Sequence, residues 1–442
     1  MTIKKRLSAC YLYDGDQLEK QNMMWNMAGS ICYAFASMLL SFLVMRLAGA
    51  EAGGIFAFGF STFGQQMFTV SYYGIRPFQT TDPADEKGEY TFGDYLLHRK
   101  LTTGLAFAVS VLYLGFLVWD GSYSADKGIC LFLLAAYKII DGFADVFESE
   151  FQRQGSLYLT GKSNTFRTLF SVVCFAAALL LRRQLVDACV AAVVSQMIGV
   201  LLFDLPMAEG LTGIKWKKHG SKMKALFLNT TFLFLSVFLD FYIFSAAKYA
   251  IDGWLNDAAS GYFNLIFMPT SVIYLVANFV IRPFLTRMTV CWSGGHLEQF
   301  RKILVRIGLL ILGLTIFAVG MTAVLGRWVL GVMEQMLGDS YAGALTVQQP
   351  AFLVVILGGG IYACSNLMYY ALVIMRRQKV IFGTYVVVAA LALFLAPALV
   401  RGFGLFGGAV AYCIFMGLLL IGFMVFVCWS FYRKEHEEKW KE

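Results

Sequence analysis

The chain reads as an all-α polytopic membrane protein, with twelve transmembrane helices in two pseudo-symmetric six-helix halves. Three observations predict this. Apolar residues make up 59% of the 442 and charged residues 14%, against roughly 45–50% and about 25% in soluble domains. Twelve windows are long and apolar enough to cross a bilayer, which takes about 20 residues per helix. The chain also repeats itself. Gly54-Ile55-Phe56 opens an apolar run closed by Arg76-Pro77-Phe78, and Gly261-Tyr262-Phe263 opens another closed by Arg282-Pro283-Phe284, 206–207 residues further on. Membrane chains duplicated in this way are commonly transporters with the substrate path between the repeats.

The windows run approximately over 22–47, 54–76, 94–119, 128–149, 164–181, 185–206, 225–250, 258–281, 301–326, 350–375, 380–399 and 403–430. Proline is scarce (7 residues), which suits long helices that must satisfy their own backbone in lipid. An even count puts both termini on one side. With the amino terminus in the cytoplasm, 28 of the 36 Lys and Arg fall on the inner side, as the positive-inside rule requires. They include Lys4, Lys5, Arg6 and Lys20 at the start, Arg76, Lys87, Arg99 and Lys100 between the second and third helices, and Arg433, Lys434, Lys439 and Lys441 in the tail. The stretch 211–224, with Lys215, Lys217, Lys218, Lys222 and Lys224, is read as a basic cytoplasmic linker between an N-terminal half, 1–210, and a C-terminal half, 225–442. A weaker match supports the duplication: Phe151-Gln152-Arg153-Gln154 follows the fourth helix and Met375-Arg376-Arg377-Gln378 the tenth. Because six is even, the halves run in the same sense, related by an axis along the membrane normal. The basic loops face anionic lipid, not nucleic acid. The polar stretch 13–22 follows the basic start, so no cleaved signal peptide is expected.

Polar groups at membrane depth are costly and are functional candidates by default. On the first helix, Asn22, Asn26, Ser30, Tyr33, Ser37 and Ser41 fall within one arc of about 100°. They are read as the wall of a water-filled cavity or as a helix-packing stripe. Met24, Ile31, Phe35 and Phe42 form the opposite, apolar face. On the fourth helix, Lys138, Asp141, Asp145 and Glu148 share one face. Lys138 and Asp141 are open to reading as an ion pair, a cation site or a proton carrier, while Asp145 and Glu148 lie toward the inner end. The seventh helix carries Asp240 in mid-span and Lys248 near its outer end, too far apart for a direct pair. Pro269 should break the hydrogen bonding of the eighth helix. Tyr362, Asn366, Tyr369 and Tyr370 give the tenth helix a polar-aromatic band that suits sugar rings or the membrane interface. Arg76 and Arg282 are expected to end equivalent helices, as topology anchors or as receivers of a diphosphate.

Several chemistries lack their motifs. There is no Walker-type Gly-rich loop, no metal-ligand spacing and no nucleophile elbow. The four histidines (His98, His219, His296 and His436) sit near helix ends, in loops or in the tail. The nine cysteines are scattered, without a CxxC pair. No cofactor and no enzymatic activity are expected. The longest outer loop, 327–349, offers Glu334 and Asp339 without a partner acid, base or nucleophile.

Two parallel six-helix halves resemble the multidrug/oligosaccharidyl-lipid/polysaccharide (MOP) superfamily. The early segment is similar to polysaccharide flippases of the Wzx type in Asn26-Met27-Ala28-Gly29-Ser30, Arg46-Leu47-Ala48-Gly49, Gly53-Gly54-Ile55-Phe56, Tyr73-Gly74-Ile75-Arg76-Pro77-Phe78-Gln79 and Glu89-Tyr90-Thr91-Phe92-Gly93-Asp94-Tyr95. The resemblance implies a flippase for undecaprenyl-diphosphate-linked oligosaccharide in a bacterial inner membrane, working by alternating access around a cationic cavity, with membrane lipid and a glycan polymerase of the same pathway as partners. It implies Arg46, Arg76 and Arg282 as cavity residues, beside Asn26, Tyr33, Lys138 and Lys248 from the reading of the helices. Asp141, Asp145 and Asp240 are coupling or ion candidates, and they oppose a strongly cationic cavity. The rival readings are a cation-coupled multidrug exporter of the same superfamily and a membrane glycan polymerase or ligase.

Overall fold

The computed structural model describes residues 10–13, 15–83, 88–217, 220 and 222–439, with side chains to residue 436. Lys4, Lys5, Arg6, Lys87, Lys218, Lys441, His219 and the side chain of Lys439 lie outside the described residues. Every regular element among those described is helical. The chain divides into two compact units, Met1–Phe238 and Leu239–Glu442.

The first unit begins with α1 (Leu18–Phe58), whose backbone leaves the helical region at Gly49 (φ 92°, ψ 174°). That conformation is essentially reserved for glycine, and it falls in the gap between the first two predicted windows. A π turn at Gly59–Phe63 leads into α2 (Gly64–Tyr72) and the short α3 (Arg76–Thr81). There follow α4 (Phe92–Trp119), α5 (Ala125–Arg153), α6 (Leu157–Arg182) and α7 (Leu185–Gly199). A second π turn, Val200–Asp204, joins α7 to α8 (Leu205–Gly210). Helix α9 (Met223–Trp254) contributes its first part, up to Phe238, to this unit. The second unit holds the rest of α9, then α10 (Asp257–Phe267), α11 (Pro269–Ser293), α12 (Leu297–Leu337), α13 (Gln349–Ile374) and α14 (Gln378–Lys439). Helix α14 breaks at Gly404 (φ 59°, ψ −137°).

Nine stretches among the described residues are long and apolar enough to span a membrane. Two of them, Leu18–Tyr72 and Gln378–His436, are each divided by a glycine break and supply two spans. Helix α5 is long enough but carries too many charges to register by hydropathy. With it the count is the predicted twelve.

Capping explains several helix starts. Thr91 and Asp94 form a reciprocal capping box at α4, Ser124 caps α5 by accepting from the Lys127 amide, and Asn256 caps α10 by accepting from the Ala259 amide. As expected, Pro269 breaks the ladder between α10 and α11, although Met268 keeps helical angles. The two Arg-Pro-Phe motifs differ, which corrects one expectation. After α2, Tyr73 (φ 53°) and Gly74 (φ 63°) turn left-handed, and Arg76-Pro77 opens α3, where a missing N–H costs nothing. At the corresponding place the second unit has Phe279-Val280, and a β-branched residue resists positive φ. Helix α11 therefore continues to Ser293 with Pro283 in its interior. Arg282 lies within a helix rather than at its end.

Helices α1 and α6 approach through glycines. A Cβ on Gly161 would sit 2.1 Å from the Trp25 carbonyl oxygen and 2.6 Å from the Asn26 amide nitrogen, and one on Gly29 would sit 3.0 Å from the Gly161 carbonyl. Small residues allow such backbone contact between membrane helices. Gly161→Ala should push the helices apart and cost about 1–3 kcal/mol, read as a lower melting temperature in detergent. The predicted apolar face of α1 is outward: Met24, Ile31 and Phe35 are exposed, as lipid contact requires.

Beyond α3, one guanidinium holds Asp82, Pro83 and Tyr90 together. Arg153 donates to the Asp82, Pro83 and Tyr90 carbonyls at 2.8, 2.6 and 2.9 Å and pairs with the Asp82 carboxylate at 3.1 Å. Burial pushes the Tyr90 hydroxyl pKa up. Residues 214–216 pack on this region: the Gly93 amide donates to the Lys215 carbonyl (3.1 Å), Trp216 meets Phe92 edge-on, and Ile214 is buried with Phe92 and Tyr95. In the second unit, Glu334 accepts from the Leu345 and Thr346 amides at 2.7 and 2.6 Å. Its carboxylate anchors loop 338–348.

Candidate functional site

The charged face of α5 builds the first candidate site. Lys138, Asp141, Asp145 and Glu148 are all buried. Burial of isolated charges is prohibitive unless each is paired, and the arginines of neighbouring segments supply the pairs. Arg76, at the start of α3, reaches Asp145 at 2.6 Å, Glu148 at 3.8 Å and the Gln152 side chain at 3.2 Å. Arg99 of α4 takes the other Asp145 oxygen at 2.9 Å. Arg167 of α6 bridges Asp141 (2.8 Å), Glu148 (2.8 Å) and Asp204 (2.7 Å). Ser163 donates to Asp204 at 2.6 Å and Gln196 to Asp141 at 3.2 Å. Four cations (Lys138, Arg76, Arg99 and Arg167) face four carboxylates (Asp141, Asp145, Glu148 and Asp204), so the cluster is formally neutral.

Lys138 and Asp141 are joined indirectly. The Lys138 ammonium donates to the Tyr33 hydroxyl at 2.6 Å, and that hydroxyl donates to Asp141 at 3.4 Å. The ammonium also lies 3.9 Å from the Phe60 ring centroid, a cation–π contact that compensates part of its lost hydration. Both π turns serve the cluster. Gly59–Phe63 carries Phe60, and Val200–Asp204 ends on Asp204; π turns often re-aim side chains at functional positions. Tyr33→Phe should remove the bridge without changing the ring. The expected cost is about 1–3 kcal/mol, checked by thermal unfolding, because both buried partners lose a hydrogen bond.

The rest of the α1 stripe is local. Asn22 bonds the Gly155 carbonyl and the Tyr158 amide, tying α1 to the α5–α6 connection. Ser30 and Ser41 donate back to the carbonyls of Asn26 and Ser37. Asn26 is half-buried at the α1–α6 crossing, and Arg46 is exposed just before the Gly49 break.

The second unit carries a separate polar-aromatic group. Asp240 of α9 accepts from the Tyr362 hydroxyl at 3.2 Å, with Tyr385 as a second phenol beside it. Tyr274 of α11 stacks on Tyr362 with centroids 5.5 Å apart. Asn278 accepts from Asn366 (3.4 Å) and from Tyr370 (3.3 Å). Lys248 turns away from Asp240, to Asn264 (3.5 Å) and the Phe267 ring (4.1 Å). Arg282 is exposed, and among the described residues no carboxylate lies within ion-pair distance of it.

The structure thus brings together Tyr33, Arg76, Lys138, Asp141 and Asp145, and leaves Asn26, Arg46, Lys248 and Arg282 outside that cluster. Asp240 heads its own group. Sequence reasoning missed Arg99, Arg167 and Asp204 because the two arginines counted as loop charges. One signal was present: of the two acids in the apolar window 185–206, Asp187 lies at its start and Asp204 late in it, at a depth where an acid calls for a partner.

No protein-family model matches the chain, and no curated protein sequence does. Solved structures match over nearly its full length. An inward-facing multidrug-resistance MATE-family transporter of the MOP superfamily superposes with a TM-score of 0.66 at 11% identity, covering 92% of this chain and 96% of that one. The lipid II flippase MurJ, inward closed, gives 0.67 at 11% identity over 92% and 90%. The MATE multidrug transporter DinF-BH in complex with R6G gives 0.61 at 16% identity over 94% and 97%. The chain therefore has the polytopic helical fold that these solved membrane proteins share. More particularly, the same fold is seen in a MATE-family transporter of the MOP superfamily and in a lipid II flippase.

Proposed function

We propose that the chain is a flippase that carries undecaprenyl-diphosphate-linked oligosaccharide, a polysaccharide precursor, from the inner to the outer leaflet of a bacterial inner membrane by alternating access. Both termini are cytoplasmic in this reading, and a glycan polymerase of the same pathway takes over the product. The distribution of charge carries the reading. The buried carboxylates of α5 are neutralised by Arg76, Arg99 and Arg167, so they are not free to hold a cationic drug. Arg282 remains exposed without a carboxylate partner among the described residues, available to a diphosphate through bidentate guanidinium contacts. The lipid tail stays in the bilayer while the headgroup crosses. Outward movement of each negative charge through an inside-negative 100 mV gains about 2.3 kcal/mol.

One observation favours the rival reading as a cation-coupled exporter. Asp240 has phenol partners but no ion-pair partner among the described residues, and a cation would suit it. Proteoliposomes separate the two. A fluorescent undecaprenyl-diphosphate oligosaccharide, read with an outer-leaflet quencher under an imposed potential, should move with the wild-type chain. Proton or sodium exchange for an organic cation, without lipid movement, would overturn the flippase reading.

A further inference from the structure

Helices α11 and α13 repeat one spacing, Tyr274 with Asn278 and Tyr362 with Asn366, each pair one turn apart. Where the helices meet, ring lies on ring and amide on amide, at 5.5 and 3.4 Å. The Asn278 side-chain oxygen is fully used, accepting from Asn366 and Tyr370, and its nitrogen donates to the Tyr274 carbonyl at 2.9 Å. The Asn366 side-chain oxygen accepts no hydrogen bond among the described residues. Tyr274 keeps 37% of its surface exposed although its other face is stacked.

We infer that this ladder binds one pyranose ring of the translocated headgroup, neutral or amino-substituted, against the open face of Tyr274. The site lies wholly within the second unit, and its assignment to a glycan rests on the flippase reading above. A pyranose offers an apolar C–H face and a rim of hydroxyls. The exposed tyrosine ring suits the first, since aromatic faces bury large apolar area in a fixed geometry. The Asp240 carboxylate and the Asn366 oxygen accept from the second, and such sparse, convergent polar groups on an aromatic wall orient a small ligand. Asp240 lacks an ion-pair partner among the described residues, so it favours an amino sugar and repels a uronic acid. An organic cation would use Asp240 and the rings but leave the amide pair without a role.

Saturation-transfer NMR on the full chain in nanodiscs tests this. The probes are methyl glucoside, methyl galactoside, methyl glucosaminide, methyl glucuronide and tetraphenylphosphonium. The neutral and amino glycosides should receive saturation, and the glucuronide should bind about tenfold more weakly. Tyr274→Ala should weaken binding about tenfold, a loss of roughly 1.4 kcal/mol, while Tyr274→Trp retains it. The inference is overturned if no glycoside binds, if Tyr274→Ala changes nothing, or if only tetraphenylphosphonium binds. Lipid movement without glycoside binding removes this site and leaves the flippase. Glycoside binding without lipid movement removes the flippase and leaves the site.

Discussion

Arg167→Leu should be the most damaging single substitution in the first unit. The guanidinium reaches three carboxylates, Asp141, Glu148 and Asp204, at 2.7–2.8 Å, and its own side chain is 2% exposed. Removing it strands negative charge in a space that excludes water. Breaking a buried pair by deleting one partner costs about 3–5 kcal/mol, because the uncompensated charge remains. Here Asp204 loses its cation entirely, and Asp141 and Glu148 keep only the more distant Lys138, through Tyr33, and Arg76. The variant should accumulate poorly and melt well below wild type in detergent. Adding Asp204→Asn to Arg167→Leu should restore part of the loss, since the amide keeps the Ser163 contact without the charge. If Arg167→Leu melts as wild type does, the cluster is not what holds α5, α6 and the turn after α7 together.

Arg282→Ala should behave in the opposite way, with melting unchanged and headgroup translocation slowed. The side chain is exposed and without an ion-pair partner among the described residues, so the fold loses little. Hydrogen bonds to charged groups contribute about 1.5–3 kcal/mol each, and a barrier rise of about 1.4 kcal/mol is tenfold in rate. A slowing of roughly tenfold to a hundredfold is expected in the proteoliposome assay. Arg282→Lys should recover part of it, because charge survives but the bidentate fork does not. Arg76→Ala is the contrasting control: Asp145 would keep Arg99 and the Ser149 hydroxyl but lose one of its two cations, and stability should fall. Equal rates for wild type and Arg282→Ala would remove this residue from the path.

Much of this architecture was legible in the residues themselves. Membrane helices follow from composition and window length, since a bilayer imposes about 20 apolar residues per crossing whatever the neighbours are. The breaks near Gly49 and Gly404 were readable as gaps between windows. The α5 face was readable too, because helical spacing places Lys138, Asp141, Asp145 and Glu148 together without further knowledge. Tertiary structure alone decided the partners. Arg99 and Arg167 count as inner-side charges from the sequence, although both fall within apolar windows, until the packing of α4 and α6 on α5 buries them against its carboxylates, and Asp204 reaches Arg167 only through a π turn. Identical Arg-Pro-Phe triplets likewise opened a new helix in one unit and stayed inside one in the other, because Tyr73-Gly74 admits a left-handed turn that Phe279-Val280 resists. Sequence spacing determines which side chains share a helix face; which charge neutralises which depends on helix ends and crossings, where short-range backbone geometry and close packing set distances of a few ångströms.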